Sequence, residues 1–198
     1  MSKYLFIGAH VDDESLCCGG TIVKLKEQGH EIIIVTLSHI YGGIDLSHEW
    51  HKAQILLQAD HSHLLNFETR MFYRDANEIL QTLFKLNEQY KPDYTYTHSS
   101  NDIHADHRTV GYQSQRVFKK QNLITFAGEW NMLESESNFY HALTDEHLSK
   151  KMDILACYES QQTRSYFDRQ FTYSKALLSG AKIGAKYAES FRILNMIG

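Results

Sequence analysis

Two short apolar runs in this chain each lead into a cluster of histidine and aspartate residues. The first run, residues 4–9, ends at His-Val-Asp-Asp-Glu, residues 10–14, and the second, residues 94–97, precedes His-Ala-Asp-His, residues 104–107. Short runs of apolar, aromatic and β-branched residues are typical of buried strands. Because the carboxyl ends of parallel strands meet in one crevice, we expect the two clusters to lie together in the folded chain.

The alternation of strand-like and helix-like segments continues along the chain and predicts an α/β fold. The predicted strands are residues 4–9, 31–37, 63–67, 94–97, 123–127 and 139–143. The predicted helices are residues 21–27, 48–58, 75–90, 107–120 and 144–155. Strands that alternate with helices favour a parallel sheet. About the last forty residues have no clear pattern, and we expect a helix followed by an irregular or short β tail.

Length and composition predict one globular domain over residues 1–198, with 42% hydrophobic residues and a formal net charge of −4. The scattered lysines and arginines give no sign of a nucleic-acid partner. No apolar stretch approaches the ~18 residues of a membrane span. The N-terminus lacks the apolar length of a signal peptide, so we expect a cytoplasmic protein. The sequence leaves the oligomeric state open, with a homo-oligomer among the options.

The residue types in the two clusters suit a catalytic zinc site. Zinc binds histidine nitrogen and carboxylate oxygen, and a hydrolytic site keeps one position open for water. His10 and Asp13 are three residues apart at a strand-to-helix turn, where both can face one point, and His107 supplies a third ligand. We therefore expect one Zn²⁺ per chain, although this ligand set also suits iron or cobalt.

Other residues of the clusters suit acid–base roles in metal-assisted hydrolysis. A zinc-bound water has a pKa near ~7, and Asp12, beside the ligands, is the predicted general base. His104 is predicted to act as an imidazolium that stabilises a tetrahedral oxyanion or protonates a leaving amine. Asp106 is predicted to orient His104 through a hydrogen bond.

These motifs resemble those of the PIG-L/LmbE-like zinc-dependent N-deacetylases. Residues 9–14 resemble the Ala-His-Pro-Asp-Asp-Glu signature of that family, and residues 104–107 resemble its His-x-Asp-His signature. The resemblance implies a Rossmann-like three-layer fold with a mostly parallel central sheet. It also implies hydrolysis of the N-acetyl group of an N-acetylated amino sugar, with release of acetate, and leaves open whether the sugar is free or linked to a nucleotide or another carrier. By motif position it implies the same ligands and the same roles for Asp12, His104 and Asp106.

Two departures from the family pattern bear on activity and substrate. Val11 stands where the family has proline, which loses a rigid φ but no ligand, so we expect activity to survive. Family members that act on thiol-linked glucosamine inositols often carry an arginine in the loop after the second strand. Residues 38–45 contain no arginine, so such a substrate is not expected.

Candidate substrate-binding residues lie near the predicted strand ends. Arg108, next to His107, is the first candidate for a phosphate or carboxylate on the substrate. Tyr41, in the loop after the second strand, and Trp130, after a later strand, are candidates for contact with a sugar ring. Further candidates for an anionic group are Arg70, Arg74 and Arg164.

Several alternatives use the same fold pattern. An amidase acting on another acyl amine would keep the metal site. A phosphoester hydrolase commonly uses two metals ~4 Å apart, which needs more carboxylate ligands than the clusters provide. A non-catalytic sugar-binding protein predicts loss of the base or a ligand, and none is missing. A nicotinamide dehydrogenase needs Gly-x-Gly-x-x-Gly where residues 10–14 carry carboxylates, which would repel a pyrophosphate.

Overall fold

A seven-stranded sheet lies at the centre of the molecule in a computed structural model, which describes residues 1–134 and 137–197. The strands are β1 (Lys3–Gly8), β2 (Glu31–Thr36), β3 (Ile40–Tyr41), β4 (Ile44–Asp45), β5 (His61–Leu64), β6 (Tyr94–His98), β7 (Asn122–Phe126), β8 (Phe139–Leu143) and β9 (Tyr187–Asn195). The order in the large sheet is β5-β2-β1-β6-β7-β9-β8, and β3 and β4 form a separate hairpin.

Helices cover both faces of this sheet. They are α1 (Asp13–Glu27), α2 (Ser47–Leu57), α3 (Ala76–Tyr90), α4 (Ala105–Phe118), α5 (Asp145–Leu155) and α6 (Arg169–Ala181). Alternate residues of β1 enter different cores, because successive strand side chains point to opposite faces. Tyr4 and Phe6 pack with α1, α2 and α5, whereas Leu5 and Ile7 pack with α3 and α4. The predicted α/β fold with a mostly parallel central sheet is confirmed.

The order of the strands places both sequence clusters at one crevice. The five strands from β5 to β7 run parallel. The chain moves outward from β1 through β2 to β5 and then returns to β6 on the other side of β1. Ligands of open α/β sheets bind at such a switch point, outside the carboxyl ends of the strands. Residues 10–14 follow β1 and residues 104–107 follow β6, so both reach this point.

The first helix begins earlier than its sequence pattern predicts. We expected a helix from residue 21, but α1 begins at Asp13 and contains both glycines of the Gly-Gly pair. A Cβ on Gly20 would lie 2.5 Å from Leu143 Cδ1 and 3.3 Å from the Glu189 carboxylate. The backbone N–H of Gly20 donates to that carboxylate at 3.0 Å. The close packing at this position favours glycine, although glycine is a weak helix former.

The C-terminal segment is more regular than its sequence pattern predicts. After α6, the expected irregular or short tail is the nine-residue strand β9, which lies inside the sheet between β7 and β8. It pairs antiparallel with both neighbours. Strand formation there depends on partners that are distant in sequence, which local propensity does not report. Within the described residues, no helix is long and apolar enough to cross a membrane.

Candidate metal centre and active site

A cavity of about 270 Å³ opens at the carboxyl ends of the parallel strands. Its walls come from the segments that follow β1, β2, β5, β6 and β7 and from residues 161–166. Nine of the residues predicted from the sequence line it: His10, Asp12, Asp13, Tyr41, Arg70, His104, His107, Trp130 and Arg164. The fold therefore brings residues from distant parts of the chain to one site.

Ligand atoms of His10, Asp13 and His107 converge at the inner end of this cavity. His107 Nε2 lies 3.2 Å from His10 Nδ1. His10 Nδ1 lies 3.5 Å from Asp13 Oδ2, and His107 Nε2 lies 3.5 Å from Asp13 Oδ1. Ligand atoms around a tetrahedral zinc ion are about 3.4 Å apart, given bond lengths near ~2.1 Å. The three distances are close to this value, with each histidine facing a different oxygen of Asp13.

Carboxylates behind the two histidines determine which nitrogens carry protons. Asp102 Oδ2 lies 2.8 Å from His107 Nδ1, and Asp106 Oδ2 lies 3.1 Å from His10 Nε2. A carboxylate only accepts, so these outer nitrogens donate, and in the neutral imidazoles the two facing nitrogens carry lone pairs. Two such nitrogens at 3.2 Å need a positive charge between them, either a proton or a metal ion. The donor set, with its supporting carboxylates, therefore fits a divalent metal.

The pKa shifts of His10 and Asp13 also indicate that the cluster favours a positive charge. Burial alone would lower the pKa of His10, but its hydrogen bonds with Asp106 and Asp13 raise the pKa to about 10. Burial also opposes ionisation of Asp13, yet positive charge on His107 and His98 holds the pKa of Asp13 well below its usual range. Asp13 is thus an ionised carboxylate, and a proton or a metal ion can supply the positive charge beside it.

Two other groups of side chains also place three ligand atoms close together. One group is His10, His104 and His107, and the other is Asp13, His98 and His107. His98, at the end of β6, is buried and does not line the cavity. All three candidate ligand sets contain His107. One of the other sets has His104 in place of Asp13, and the second has His98 in place of His10.

The Asp12 carboxylate belongs to the site and does not cap the helix that follows it. Asp12 precedes α1 as its N-cap residue, yet its side chain makes no capping hydrogen bond. Burial, and then the negative charge of Asp13, raises the pKa of Asp12 to about 6. A carboxylate with a raised pKa, in contact with the cavity, has the properties of a general base or acid.

His104 is held in one tautomer, and it is not the expected imidazolium. Its Nδ1 accepts a hydrogen bond from the backbone N–H of Asp106 at 3.3 Å, so Nε2 carries the proton. Burial, together with positive charge on His107 and His10, lowers the pKa of His104 to about 4. The expectation of a charged His104 is therefore corrected: at neutral pH it is a neutral hydrogen-bond donor.

Asp106 orients a different histidine from the one expected. Its carboxylate contacts His10 Nε2 and accepts from the backbone N–H of Arg70 at 2.6 Å, and it does not contact the ring of His104. The ring of His104 instead accepts from the backbone N–H of Asp106 at the start of α4. The expected pairing of Asp106 with His104 is thus replaced by a pairing with His10.

Arg108 does not reach the cavity, which corrects its expected place among the substrate-binding residues. It lies on α4, one residue after His107, and its side chain is exposed. Consecutive helical residues are about 100° apart, which turns Arg108 away from the face that carries His107. The arginines that line the cavity are Arg70 and Arg164.

Other residues of the site were missed in the sequence. Asp102 is buried and binds His107, and its only signal was its place between β6 and the second cluster. His98 Nε2 lies 3.0 Å from Asp13 Oδ2, and nothing in its local sequence separates it from a core histidine. Tyr166 lines the cavity wall through packing of a segment whose path the sequence does not reveal.

Comparison with known proteins identifies the family. The family model described as PIG-L: GlcNAc-PI de-N-acetylase matches residues 5–117, more than half of the 198 residues and both histidine–aspartate clusters. The chain belongs to the PIG-L family. Membership confirms the resemblance seen in the motifs and places the chain among hydrolytic N-deacetylases.

Relatives of this PIG-L chain include proteins from bacteria and archaea. The uncharacterized deacetylase YaiS of Escherichia coli strain K12 is 25% identical over 167 residues, which cover 79% of this chain and 90% of YaiS. N,N'-diacetylchitobiose deacetylase from Pyrococcus horikoshii has a similar structure, with a TM-score of 0.82 and 22% identity over 98% of this chain and 84% of that one.

The same fold also occurs in an enzyme with different chemistry. GalB, the 4-carboxy-2-hydroxymuconate hydratase from Pseudomonas putida KT2440, has a TM-score of 0.80 and 18% identity, over 100% of this chain and 98% of GalB. The fold alone therefore does not decide the reaction, which has to be argued from the residues of the site.

Proposed function

We propose that this PIG-L family member is a zinc-dependent N-deacetylase that hydrolyses the acetamide of an N-acetylated amino sugar and releases acetate. The observation that carries the proposal is the 3.2 Å approach of His10 Nδ1 and His107 Nε2 beside the ionised Asp13. Each imidazole has its own carboxylate partner, which is the usual support of a catalytic metal site.

We propose that the ligands are His10, Asp13 and His107. We prefer this set to the two in which His98 replaces His10 or His104 replaces Asp13. His98 Nε2 already lies within hydrogen-bond distance of the Ala9 N–H and Asp13 Oδ2, and His98 does not line the cavity. His104 Nδ1 accepts from the first turn of α4. These contacts give His98 and His104 supporting roles.

The proposed reaction exchanges the bond between acetyl carbon and amine nitrogen for a bond to water oxygen. A zinc ion at this site would polarise the acetyl carbonyl and lower the pKa of water to ~7. Asp12, the uncommitted carboxylate, accepts the proton from the attacking water and delivers a proton to the departing amine nitrogen. Acetate and a free amine are the products.

His104 and the supporting carboxylates prepare the site for negative charge on the substrate oxygen. As a neutral imidazole with its proton on Nε2, His104 donates a hydrogen bond to the tetrahedral oxyanion without a prior protonation step. Asp102 and Asp106 keep His107 and His10 in the tautomers that present lone pairs to the site. They act by positioning the ligands.

Cavity size and lining favour a small substrate with a ring. A volume of about 270 Å³ lies just below the usual ~300–1,000 Å³ of ligand pockets, which suits one sugar ring better than a chain of them. Trp130 and Tyr41 line the cavity and offer aromatic faces to such a ring.

Acetate release is the test of this proposal. Purified protein loaded with one equivalent of Zn²⁺ is incubated with free and nucleotide-linked N-acetyl sugars, with and without chelator, beside an Asp12→Asn variant loaded in the same way. We expect chelator-sensitive acetate release by the wild type and at least ~100-fold less by the variant. Equal release by the two proteins would refute the assigned base. No release from any sugar would refute the amino-sugar substrate and favour another acyl amine.

A further inference from the structure

Two arginines line the cavity, and the described residues form no ion pair that would neutralise either of them. Arg70 and Arg164 both border it, and neither forms an ion pair with an acidic residue in the described ranges. Arg74, by contrast, lies outside the cavity and pairs with Glu68 at 2.8 Å and with Asp75 at 3.1 Å. Two acids thus neutralise Arg74, whereas no acid of the described residues forms an ion pair with Arg70 or Arg164.

Arg164 is held by aromatic rings that leave its charge available. Its guanidinium carbon lies 5.3 Å from the ring centre of Tyr41 and 5.8 Å from that of Tyr166. Tyr166 is fixed in turn by stacking on Trp130, with ring centres 4.3 Å apart. Both tyrosines are neutral partners, so they hold the guanidinium without compensating its positive charge, which stays available to an oxyanion.

Arg70 also acts on Tyr41, and its position is fixed by its backbone. It has a positive φ of 71°, which is uncommon for a residue other than glycine. Its N–H donates to the buried Asp106 carboxylate at 2.6 Å, which holds it in this conformation beside the metal ligands. Arg164, and more weakly Arg70, lowers the pKa of Tyr41. Both cations thus act on the same phenol at the cavity wall.

We propose that Arg164, assisted by Arg70, binds an oxyanion, a carboxylate or a phosphate, that the substrate carries in addition to its acetamide. This inference rests on the proposed function, since the acetamide occupies the end of the cavity at His10 and His107. The two carboxylates that line the cavity, Asp12 and Asp13, belong to that end. A negatively charged substituent at the other end therefore meets two cations and no acid from the described lining.

Binding measurements test this inference separately from turnover. The zinc-loaded Asp12→Asn protein is titrated calorimetrically with N-acetylglucosamine, its 1-phosphate, its 6-phosphate and N-acetylmuramic acid. We expect at least one anionic sugar to bind about tenfold or more tightly than the neutral sugar, as charge-assisted hydrogen bonds predict. Preference for the phosphates or for the carboxylate identifies the source of the oxyanion. Equal affinities for the neutral and all anionic sugars would overturn the inference.

Substitutions assign the effect to Arg164. Added to the same protein, Arg164→Gln is expected to remove most of the preference for the anionic sugar, and Arg164→Lys to keep part of it. Arg169→Gln is the matched control, because Arg169 also lies 5.3 Å from a tyrosine ring, that of Tyr173, but outside the cavity. Equal loss of affinity for neutral and anionic sugars in the folded Arg164→Gln protein, checked by thermal melting, would overturn the assignment. If acetate release fails but this preference is found, the proposed function fails while the oxyanion site stands.

Discussion

The inner and outer ends of the cavity are held together by different kinds of contact. At the inner end, formed by His10, Asp13 and His107, the side chains are largely buried and hydrogen bonds to carboxylates set each histidine tautomer. At the outer end, formed by Tyr41, Arg164 and Tyr166, the contacts are stacking and cation–π, and Tyr41 is 41% exposed.

This difference shows how the two ends can serve separate tasks. A buried polar group that loses its hydrogen-bond partner is costly, so a change at one residue of the inner end alters the whole cluster. Stacking tolerates small displacements, so a change at the outer end leaves the inner end intact. We therefore expect inner-end substitutions to change metal affinity or kcat, and outer-end substitutions to change KM or substrate preference.

The largest effect is expected for Asp12→Asn. The amide keeps the shape of the side chain but accepts no proton from water, so kcat should fall by ~10²–10⁴-fold. Zinc stoichiometry should stay at that of the wild type, because Asp12 is not a proposed ligand. Steady-state acetate release and metal analysis of the same preparation check both statements. A variant that lost zinc together with activity would contradict the separation of base from ligands.

An intermediate effect is expected for Asp106→Asn. Because Asp106 binds His10 and the Arg70 N–H, its loss should weaken zinc binding by ~10–100-fold, the usual range for such a supporting group. Competition with a chromophoric chelator measures this affinity, with the exposed Glu68→Gln as control. Had Asp106 acted through His104, kcat would fall while zinc affinity stayed unchanged, and that result would contradict the pairing with His10.

The smallest effect is expected for Trp130→Leu at the outer end. Loss of an aromatic face should raise KM by ~2–10-fold, because aromatic contacts are worth ~0.5–1.5 kcal/mol beyond their buried area. Zinc affinity and kcat should remain near those of the wild type. A fall in zinc affinity in this variant would show that the two ends are coupled, contrary to the comparison drawn above.

Local signals predicted the inner end better than the outer end. His10, Asp12, Asp13, His104 and His107 lie in two short motifs at strand ends, where the topology of a parallel sheet brings them together. The same local signals gave the wrong partner for Asp106 and wrongly placed Arg108 at the substrate. The direction of a side chain on a helix depends on where the helix begins, which the motifs do not show. These signals also left Arg164 as one of several arginines, since only packing of residues 161–166 brings it to the cavity.

A similar limit applies to the fold. Strands such as β2 and β8 agree with their predicted ranges because their sequences form β-branched or aromatic runs between turns. The early residues of α1 and the whole of β9 were missed, and they share one cause. Glu189 of β9 accepts from the Gly20 N–H and pairs with Lys151 Nζ at 2.6 Å. These contacts join segments that are distant in the chain.

The most direct test of the account is the position of the metal. A crystal of the zinc-loaded protein, measured on both sides of the zinc absorption edge, would show the ion in an anomalous difference map. We predict a single strong peak about 2.0–2.2 Å from His10 Nδ1, His107 Nε2 and one oxygen of Asp13. A peak bound by His98 in place of His10, a peak bound by His104 in place of Asp13, or no peak in the cavity would contradict the proposed metal centre.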